Sequence, residues 1–224
     1  TPEIITVEHP EIVPFGTNYL DVYVYDSNNN PVESALVTIM FESNPHNPDA
    51  LGNNYYTDSS GHIRVEINDS VSGNIPITVT KANIKPYEGN IFIDEEQLTV
   101  NIDSESNLSI EGFPIAGNSI NLSIPLKNFS SFQANNVTAT LSSVSNNVFI
   151  DDTVVNYGSI SPGQTVYGDS FGLTISSNVF QDQNLEILLT ITDGQGNVWT
   201  SYVPLSVTGS LLLVNDTGYL NSTG

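Results

Sequence analysis

The sequence of 224 residues predicts an all-β fold made of two β-sandwiches in tandem. Three observations carry this prediction. Apolar residues recur at every second position in many short runs, turn-forming residues separate the runs, and a short polar segment divides them into two blocks of similar length. Sandwich domains of about 100 residues each would account for a chain of this size.

Alternation of apolar and polar residues is typical of a strand with one face on a core and the other in water. The first clear case is Leu20, Val22 and Val24, which alternate with polar or aromatic residues. No run has a comparable helical period over ten residues, so we expect strands throughout. The other runs with a period of two lie at 63–67, 75–79, 120–126, 137–141, 185–191 and 203–207.

Turn signals separate these runs. Asn, Asp and Gly tolerate positive φ, and Pro fixes φ, so clusters of these residues reverse the chain. Many short strands with such turns between them indicate a sandwich or barrel. The predicted turns lie at Asn28–Pro31, Asp58–Gly61, Ser72–Asn74, Ser161–Gln164 and Asp193–Gly196.

The best domain boundary lies in the polar segment Asp103–Ser106, between a strand predicted at 97–102 and another at 108–110. We therefore expect a first sandwich over 1–103 and a second over 104–208. Residues 209–224 form a third piece, in which Leu211–Val214 is continuously apolar. This piece would be either the first strand of a further domain or a strand that adds to the sheet edge of a neighbour.

The charge of the chain excludes some classes of partner. Four Lys and Arg residues stand against 25 Asp and Glu, for a formal net charge of −21. Nucleic-acid binding needs clustered basic residues, and four scattered ones form no such patch. Anionic membrane surfaces repel the chain as well, and Leu211–Val214, its longest apolar run, is too short for membrane insertion.

Asp26–Asn30 is the stretch that most resembles a metal-binding loop. Its Asp-x-Asn-x-Asn spacing is that of the first half of a calcium loop of the EF-hand type. That loop requires Gly at position six and Glu at position twelve, where this chain has Pro31 and Val37. We therefore expect a turn, with a looser calcium site that also uses Asp58 as the alternative. No other cofactor is expected.

Catalytic arrangements are weak or missing in the sequence. There is no Cys, and hence no thiolate nucleophile. No Ser lies in a Gly-x-Ser-x-Gly elbow. His9, His46 and His62 show no metal-ligand spacing, and we expect them to be solvated or at strand edges. The adjacent Asp151 and Asp152 would point to opposite faces of a strand, although a loop would allow both to bind one calcium ion.

Two sets of residues remain as candidates for binding or modification. Asn-x-Ser/Thr triplets permit glycans where Asn faces outward, as we expect for Asn121 and Asn136. The tyrosines at 19, 23, 25, 55 and 56 are clustered in the first block, where they suit either a domain interface or sugar stacking. The triplets begin at Asn68, Asn107, Asn121, Asn128, Asn136, Asn215 and Asn221.

Longer strings resemble known families. VYVYDSNNNPVESALVTI at 22–39, followed by YYTDSSGHIRVEI at 55–67, resembles bacterial immunoglobulin-like modules of surface proteins. IPITVTKANIKPYEGNIFI at 75–93 resembles the close of the immunoglobulin-like domain that follows the catalytic part of gingipain-like cysteine peptidases. Residues 107–208 resemble a second extracellular sandwich, through features such as Tyr157-Gly158-x-Ile160-x-Pro162-Gly163 and Ile191–Gly194. The resemblance implies two immunoglobulin-like sandwiches from an accessory, non-catalytic part of an exported bacterial protein.

Three hypotheses about function follow. The first is a non-catalytic, extracellular or cell-surface module pair with a structural or adhesive role, next to a gingipain-like peptidase domain and making protein–protein contacts. The second is a self-assembling subunit of an extracellular filament or surface layer, in which 209–224 donates a strand to a neighbour. The third is a carbohydrate-binding module that uses the tyrosines and calcium. We do not expect an enzyme.

Overall fold

The structure is a computed structural model, and it describes residues 4–40, 53–67, 71–143, 145–179 and 182–209. Within these ranges the chain forms 19 β-strands and no helix. The prediction of an all-β fold is therefore confirmed. The turns predicted at Asn28–Pro31, Asp58–Gly61, Ser161–Gln164 and Asp193–Gly196 also separate strands, as expected.

The first sandwich consists of a three-stranded and a five-stranded sheet. Their strand orders are β1-β3-β6 and β2-β8-β7-β4-β5, and all pairs are antiparallel except β2 with β8. The strands are β1 (Thr6–Glu8), β2 (Ile12–Pro14), β3 (Tyr19–Tyr25), β4 (Leu36–Ile39), β5 (Asn53–Tyr56), β6 (His62–Glu66), β7 (Gly73–Thr80) and β8 (Tyr87–Asp94).

This strand order is that of an immunoglobulin-like sandwich. In such a fold, β1, β3 and β6 correspond to the first, second and fifth strands, and β4, β7 and β8 to the third, sixth and seventh. The five-stranded sheet has two further strands at its edges, β2 and β5. The chain crosses early from β1 in one sheet to β2 in the other, where β2 pairs in parallel with the last strand, β8. The core between the sheets contains fully buried side chains such as Val22, Val37, Ile77 and Ile91.

The second sandwich places the four-stranded sheets β10-β11-β17-β14 and β15-β13-β18-β19 around a separate core, with a small sheet β16-β12-β9 beside them. The strands are β9 (Val100–Ile102), β10 (Ser109–Glu111), β11 (Ser119–Ser123), β12 (Pro125–Asn128), β13 (Ala134–Ser143), β14 (Val148–Ile150), β15 (Val154–Ile160), β16 (Thr165–Tyr167), β17 (Phe171–Ile175), β18 (Gln183–Thr192) and β19 (Val198–Val207).

The second core is the larger one, and Phe171 is its largest fully buried side chain. Tyr157 lies in it with 6% of its surface exposed, and its hydroxyl donates a 2.9 Å hydrogen bond to the carbonyl of Ile124. A buried Tyr needs such an acceptor because an unpaired hydroxyl would lose its hydration without compensation.

Strand β9 belongs to the second sandwich, although we expected it in the first. The sequence placed Val100–Ile102 at the end of the first sandwich, but β9 pairs with β12, and Val100 and Ile102 pack in the second core. The polar segment that follows β9 therefore lies after the crossing between the two cores. Its polar composition is that of a turn. In sequence, a turn inside one sandwich cannot be distinguished from a linker that joins two sandwiches.

The prediction of a C-terminal strand falls on residues 209–224. Of these, the structure describes only Gly209, whose amide donates a 2.9 Å hydrogen bond to Asp182. Leu211–Val214, the apolar run on which the prediction of a donated strand rests, lies outside the described residues.

Candidate functional site: the joint between the two sandwiches

The two sandwiches contact each other through charged and aromatic side chains. Arg64 on β6 donates through Nε to Asp21 Oδ1 at 3.1 Å, within its own sandwich. Its Nη1 donates to Glu186 Oε2 on β18 of the other sandwich at 2.9 Å. The guanidinium carbon lies 3.6 Å from the ring centroid of Tyr202 on β19. Arg64 thus forms an ion pair and a cation–π contact across the joint.

A tyrosine pair continues this contact. The rings of Tyr19 and Tyr202 meet edge to face with centroids 4.9 Å apart, a favoured aromatic geometry. The Tyr19 and Thr200 hydroxyl oxygens form a hydrogen bond of 2.7 Å, and Asn18 Nδ2 donates to Ser201 Oγ at 2.6 Å. Burial raises the pKa of Tyr19, so its hydroxyl keeps its proton near neutral pH.

A second contact region lies near the crossing of the chain. Phe15 and Phe129 pack edge to face with centroids 5.9 Å apart. Between them the backbone turns at Gly16 with φ of +85°, where a Cβ atom would lie 2.4 Å from Cγ of Phe129. Asn101, which is 3% exposed, donates from Nδ2 to the Gly16 carbonyl at 2.9 Å. Only glycine fits this site, because both the backbone angle and the space exclude a side chain.

Trp199 packs beside the same crossing. It is the one tryptophan of the sequence, and its Nε1 donates a 3.1 Å hydrogen bond to the carbonyl of Leu98. Leu98 is the second residue before β9, on the segment that leaves the first sandwich. The indole is therefore a natural spectroscopic reporter of the joint.

A cleft of about 340 Å³ lies in the joint beside the contacts of Arg64, Tyr19 and Tyr202. Apolar side chains form much of its wall, among them Ile67, Ile102, Leu108 and Val203. The cleft is also lined by the acidic residues Glu66, Asp103 and Glu186, by Arg64, and by Asn18, Tyr19, Ser104, Ser106, Tyr202 and Pro204.

The question raised by Asp26–Asn30 is answered by its hydrogen bonds. Asp26 Oδ1 accepts from the amides of Asn28 and Asn30, each at 2.8 Å, and Oδ2 accepts from Asn30 Nδ2 at 3.0 Å. Both carboxylate oxygens are therefore used inside the loop. The residue before Asn30 has a positive φ of 63°, as expected for the left-handed position of a tight hairpin loop. The stretch is a turn, as we expected.

Among the described residues, the same five-residue turn occurs twice more. Asp58 accepts from the amides of Ser60 and His62, and Asp193 from those of Gln195 and Asn197. In each copy the fourth residue has a positive φ, 73° at Gly61 and 87° at Gly196. In each copy the carboxylate of an Asp accepts hydrogen bonds from the backbone amides two and four residues later. The sequence contains this pattern, although we did not predict it.

The pKa values of these carboxylates reflect the same bonds. Hydrogen bonds from Asn30 lower the pKa of Asp26, and those from Ser60 and His62 lower that of Asp58. At Asp193, burial raises the pKa, but hydrogen bonds from Asn197, Gln195 and Gly196 outweigh it, so the net direction is downward. All three stay ionised at neutral pH, as hydrogen-bond acceptors within their turns.

The other candidate residues for chemistry lie apart from one another. Two of the three histidines are described, and both are half-buried. His9 Nε2 is 2.8 Å from the Tyr87 hydroxyl. His62 begins the edge strand β6, and its Nε2 is 2.8 Å from Asp21 Oδ1. His46 lies outside the described residues. Asp151 and Asp152 are exposed, and Asp151 Oδ2 accepts a hydrogen bond from Thr174 at 2.8 Å. The described residues contain no group of three or more potential metal ligands of the His, Cys, Asp and Glu types.

The clustered tyrosines divide into separate environments. Tyr19 lies in the joint, as the interface interpretation predicted. Tyr23 is 37% exposed and stacks on His62 with centroids 4.6 Å apart, and Tyr55 packs against the first core. Tyr56 on the edge strand β5 is 64% exposed. Sequence alone could not separate these positions, because their surroundings depend on which sheet faces which neighbour.

Exposure also separates the Asn-x-Ser/Thr triplets. Asn121 and Asn136 are exposed, as we expected, and Asn107 is exposed too. Asn128 is fully buried: its Nδ2 donates to the carbonyls of Phe132 and Ile160, and its Oδ1 accepts from the amide and hydroxyl of Ser130. It is a structural residue that holds a loop. Asn68, Asn215 and Asn221 lie outside the described residues.

Comparison with known proteins gives distant structural similarity only. No protein-family model matches the chain, and no curated protein matches it. Among solved structures, an Escherichia coli α2-macroglobulin activated by porcine elastase is 11% identical, with a TM-score of 0.38; the match covers 93% of this chain and 22% of that one. The chain therefore spans about a fifth of that neighbour's length.

Two smaller neighbours cover more of their own length. The major pilin subunit of Bacillus cereus is 13% identical with a TM-score of 0.30, over 92% of this chain and 70% of the pilin chain. The D0-D1 domain of intimin is 12% identical with a TM-score of 0.30, over 91% and 97% of the two chains. At these values the alignments do not bear on function, and the class of immunoglobulin-like sandwich rests on the strand order described above. Within the described residues, no helix is long and apolar enough to span a membrane.

Proposed function

We propose that this chain is a non-catalytic, extracellular structural module pair of a bacterial secreted or cell-surface protein, in which the joint holds the two sandwiches at a fixed angle. The single observation that carries the proposal is the contact of Arg64 with Glu186 and Tyr202 across the joint. A pair with a fixed angle acts as a stiff spacer that presents other surfaces at a set distance.

The stiffness follows from the kind and number of contacts. Domains in one chain move relative to each other unless their interface is extensive or specific. Here a bridging guanidinium, two aromatic pairs and a buried Asn–backbone hydrogen bond lie at separate points of the joint. Contacts at separate points resist both hinge bending and twisting, whereas a single contact would leave one rotation free.

The large negative charge agrees with an exposed, solvated role. A net charge of −21 favours solubility and disfavours close approach of like chains. Exposed side chains such as Tyr56 and Phe113 would then supply adhesive contacts with a partner protein.

Small-angle X-ray scattering of the chain tests the fixed joint. The expected profile is that of one rigid conformer, independent of ionic strength between low and moderate salt. The double variant Arg64→Ala/Tyr202→Ala should give a broader distribution of interdomain distances. A wild-type profile that requires many interdomain angles would contradict the proposal.

We also propose that the pair belongs next to a gingipain-like peptidase domain. The support is the string at 75–93, which in the structure spans β7, the loop after it and nearly all of β8. Mass spectrometry of the native polypeptide with peptide mapping at both ends tests this. Peptides of an adjoining peptidase domain are expected, and a polypeptide without one would refute the association.

A further inference from the structure

The corner of the first sandwich that contains Gly16 has a counterpart in the second sandwich. The sheet orders β8-β7-β4-β5 and β19-β18-β13-β15 correspond strand for strand, and so do β1-β3-β6 and β10-β11-β17. In both sandwiches the last strand pairs in parallel with the chain just before the corner. In the first, β8 pairs with β2, and in the second Thr208, directly after β19, pairs with Ile115. The two corners therefore have the same place in the fold.

Backbone hydrogen bonds show how closely the two corners match. In each, one amide donates to the carbonyl that ends the last strand or directly follows it, at 2.8 Å in the first sandwich and 3.0 Å in the second. The next residue is a glycine with a positive φ, of 85° and 86° respectively. A following asparagine carbonyl then accepts the amide of an isoleucine, at 2.9 Å in both. In that order, the residues are Phe15, Asp94, Gly16, Asn18 and Ile67 in the first sandwich and Ala116, Thr208, Gly117, Asn118 and Ile175 in the second.

The two corners differ in what covers them. Gly16 is buried, and a Cβ atom there would lie 2.4 Å from Cγ of Phe129 in the second sandwich. Gly117 is exposed, and among the described residues beyond its chain neighbours the nearest atom to such a Cβ would be Cβ of Ser177, at 3.8 Å. Ile115 beside it is 39% exposed. The second corner thus has the backbone of the joint and leaves room for a covering segment.

The sequence after β19 repeats the segment that covers the first corner. Asn101, whose Nδ2 donates to the carbonyl of Gly16, is the seventh residue after Asp94. The seventh residue after Thr208, which is equivalent to Asp94 in the backbone hydrogen bonds, is Asn215. The structure fixes this spacing, and at this spacing the two strings share Leu, Val and Asn. The strings are Leu98-Thr99-Val100-Asn101 and Leu212-Leu213-Val214-Asn215.

We propose that the Gly117 corner is a second joint whose occupant is the segment 210–215 of this chain. In it, the side chain of Asn215 donates to the carbonyl of Gly117, as that of Asn101 does to Gly16. Residues 210–224 lie outside the described ones, so the support is the match in sequence and the equivalent corner.

This second joint favours one of the two alternatives for residues 209–224. Asn101 lies on β9, the first strand of the second sandwich, which pairs with β12 there. By the same arrangement, Asn215 would lie on the first strand of a further sandwich rather than on a strand donated to a neighbour. The chain would then repeat one kind of joint along its length, which extends the spacer role proposed above, since joints with specific contacts resist domain motion.

The test compares the amide resonances of the intact ¹⁵N-labelled chain with those of Asn215→Ala. Loss of a side-chain donor changes the amide resonances near its acceptor, so changes are expected at 116–118 and 175–177, which surround Gly117. Asn221→Ala removes another asparagine side chain from the same C-terminal segment and is the matched control, which should leave these resonances unchanged. Asn101→Ala should change the amides at 16–18 and shows that the measurement detects such a bond.

Three outcomes would overturn the second joint. The first is unchanged resonances at 116–118 in Asn215→Ala, and the second is equal changes in Asn221→Ala. The third is a difference that vanishes on dilution of the protein, which would place Asn215 on a neighbouring copy as part of a donated strand. A rigid scattering profile with unchanged resonances would refute the second joint and leave the spacer role of the first intact. Changed resonances in a chain whose profile requires many interdomain angles would do the reverse.

Discussion

The guanidinium carbon of Arg64 lies over the ring of Tyr202 at 3.6 Å, so a cation of the first sandwich stacks on an aromatic residue of the second. A lysine keeps the charge but cannot stack as a plane or donate to two carboxylates in the same geometry. We expect Arg64→Lys to lower the free energy of unfolding by about 1 kcal/mol. Arg64→Ala should cost more, because Asp21 then loses its guanidinium partner.

Trp199 fluorescence together with far-UV circular dichroism in a urea titration measures this effect. In the wild type the two signals should change together, since the joint couples the sandwiches. In Arg64→Ala the Trp199 signal should change at a lower urea concentration than the dichroism. Coincident transitions in the variant would mean that Arg64 does not couple the sandwiches. Lys85→Ala, on an exposed cation outside the joint, serves as the control.

Gly16 gives a second test of the joint. Gly16→Ala should destabilise the protein by more than the backbone strain of about 1–3 kcal/mol, because its Cβ would lie 2.4 Å from Phe129. Gly163→Ala is the matched control, since Gly163 has φ of +69° but no neighbouring atom within 4 Å of the place that a Cβ would occupy. The difference between the two variants in thermal denaturation isolates the steric clash. A cost at Gly16 no larger than at Gly163 would show that Phe129 moves away freely.

The strands with clear alternation were predictable from sequence, and the specific contacts across the joint were not. The alternation around Leu20 and Ile77 reflects burial of one strand face, which is a local property. Arg64 also alternates correctly on β6, yet nothing around it in sequence indicates that its partners are Glu186 and Tyr202, more than 100 residues later. Asn128 is one of several Asn-x-Ser/Thr triplets in the sequence, and composition does not reveal that its amide closes a buried loop.

The Asp turns should make stability depend on pH in the acidic range. The folded pKa of Asp193 lies below its unfolded value, so its contribution is present above the unfolded value of about 3.9 and is lost as pH falls through the folded one. We expect Asp193→Asn to lower the free energy of unfolding by about 1–2 kcal/mol at pH 7, with a smaller difference near pH 3. Asp169→Asn, at an exposed aspartate, controls for the change in net charge.

Denaturation curves at the two pH values measure this difference, and equal costs at both would refute the linkage. Thermal denaturation of the wild type and of Asp26→Asn tests the calcium alternative for the Asp26 turn. Both oxygens of Asp26 are already hydrogen-bonded, so millimolar calcium should not raise the melting temperature relative to magnesium. A calcium-specific rise that Asp26→Asn abolishes would revive the metal site.

Tyr157 should make the stability of the protein depend on pH in the alkaline range. Burial raises the pKa of Tyr157, so the folded state holds the neutral phenol while the unfolded chain ionises above about pH 10. The contribution of Tyr157 is therefore fully present below that pH and is lost as pH rises further. At pH 7, Tyr157→Phe should cost about 1–2 kcal/mol, because the carbonyl of Ile124 loses its donor. Above about pH 10 the difference between wild type and variant should shrink and then reverse, since phenylalanine cannot ionise.

Urea denaturation at pH 7 and in alkaline buffer measures the difference in free energy of unfolding between wild type and Tyr157→Phe at each pH. Tyr167→Phe, which changes an exposed ring, is the control. A difference that stays constant into the alkaline range would show that Tyr157 ionises as readily in the folded state as in the unfolded one.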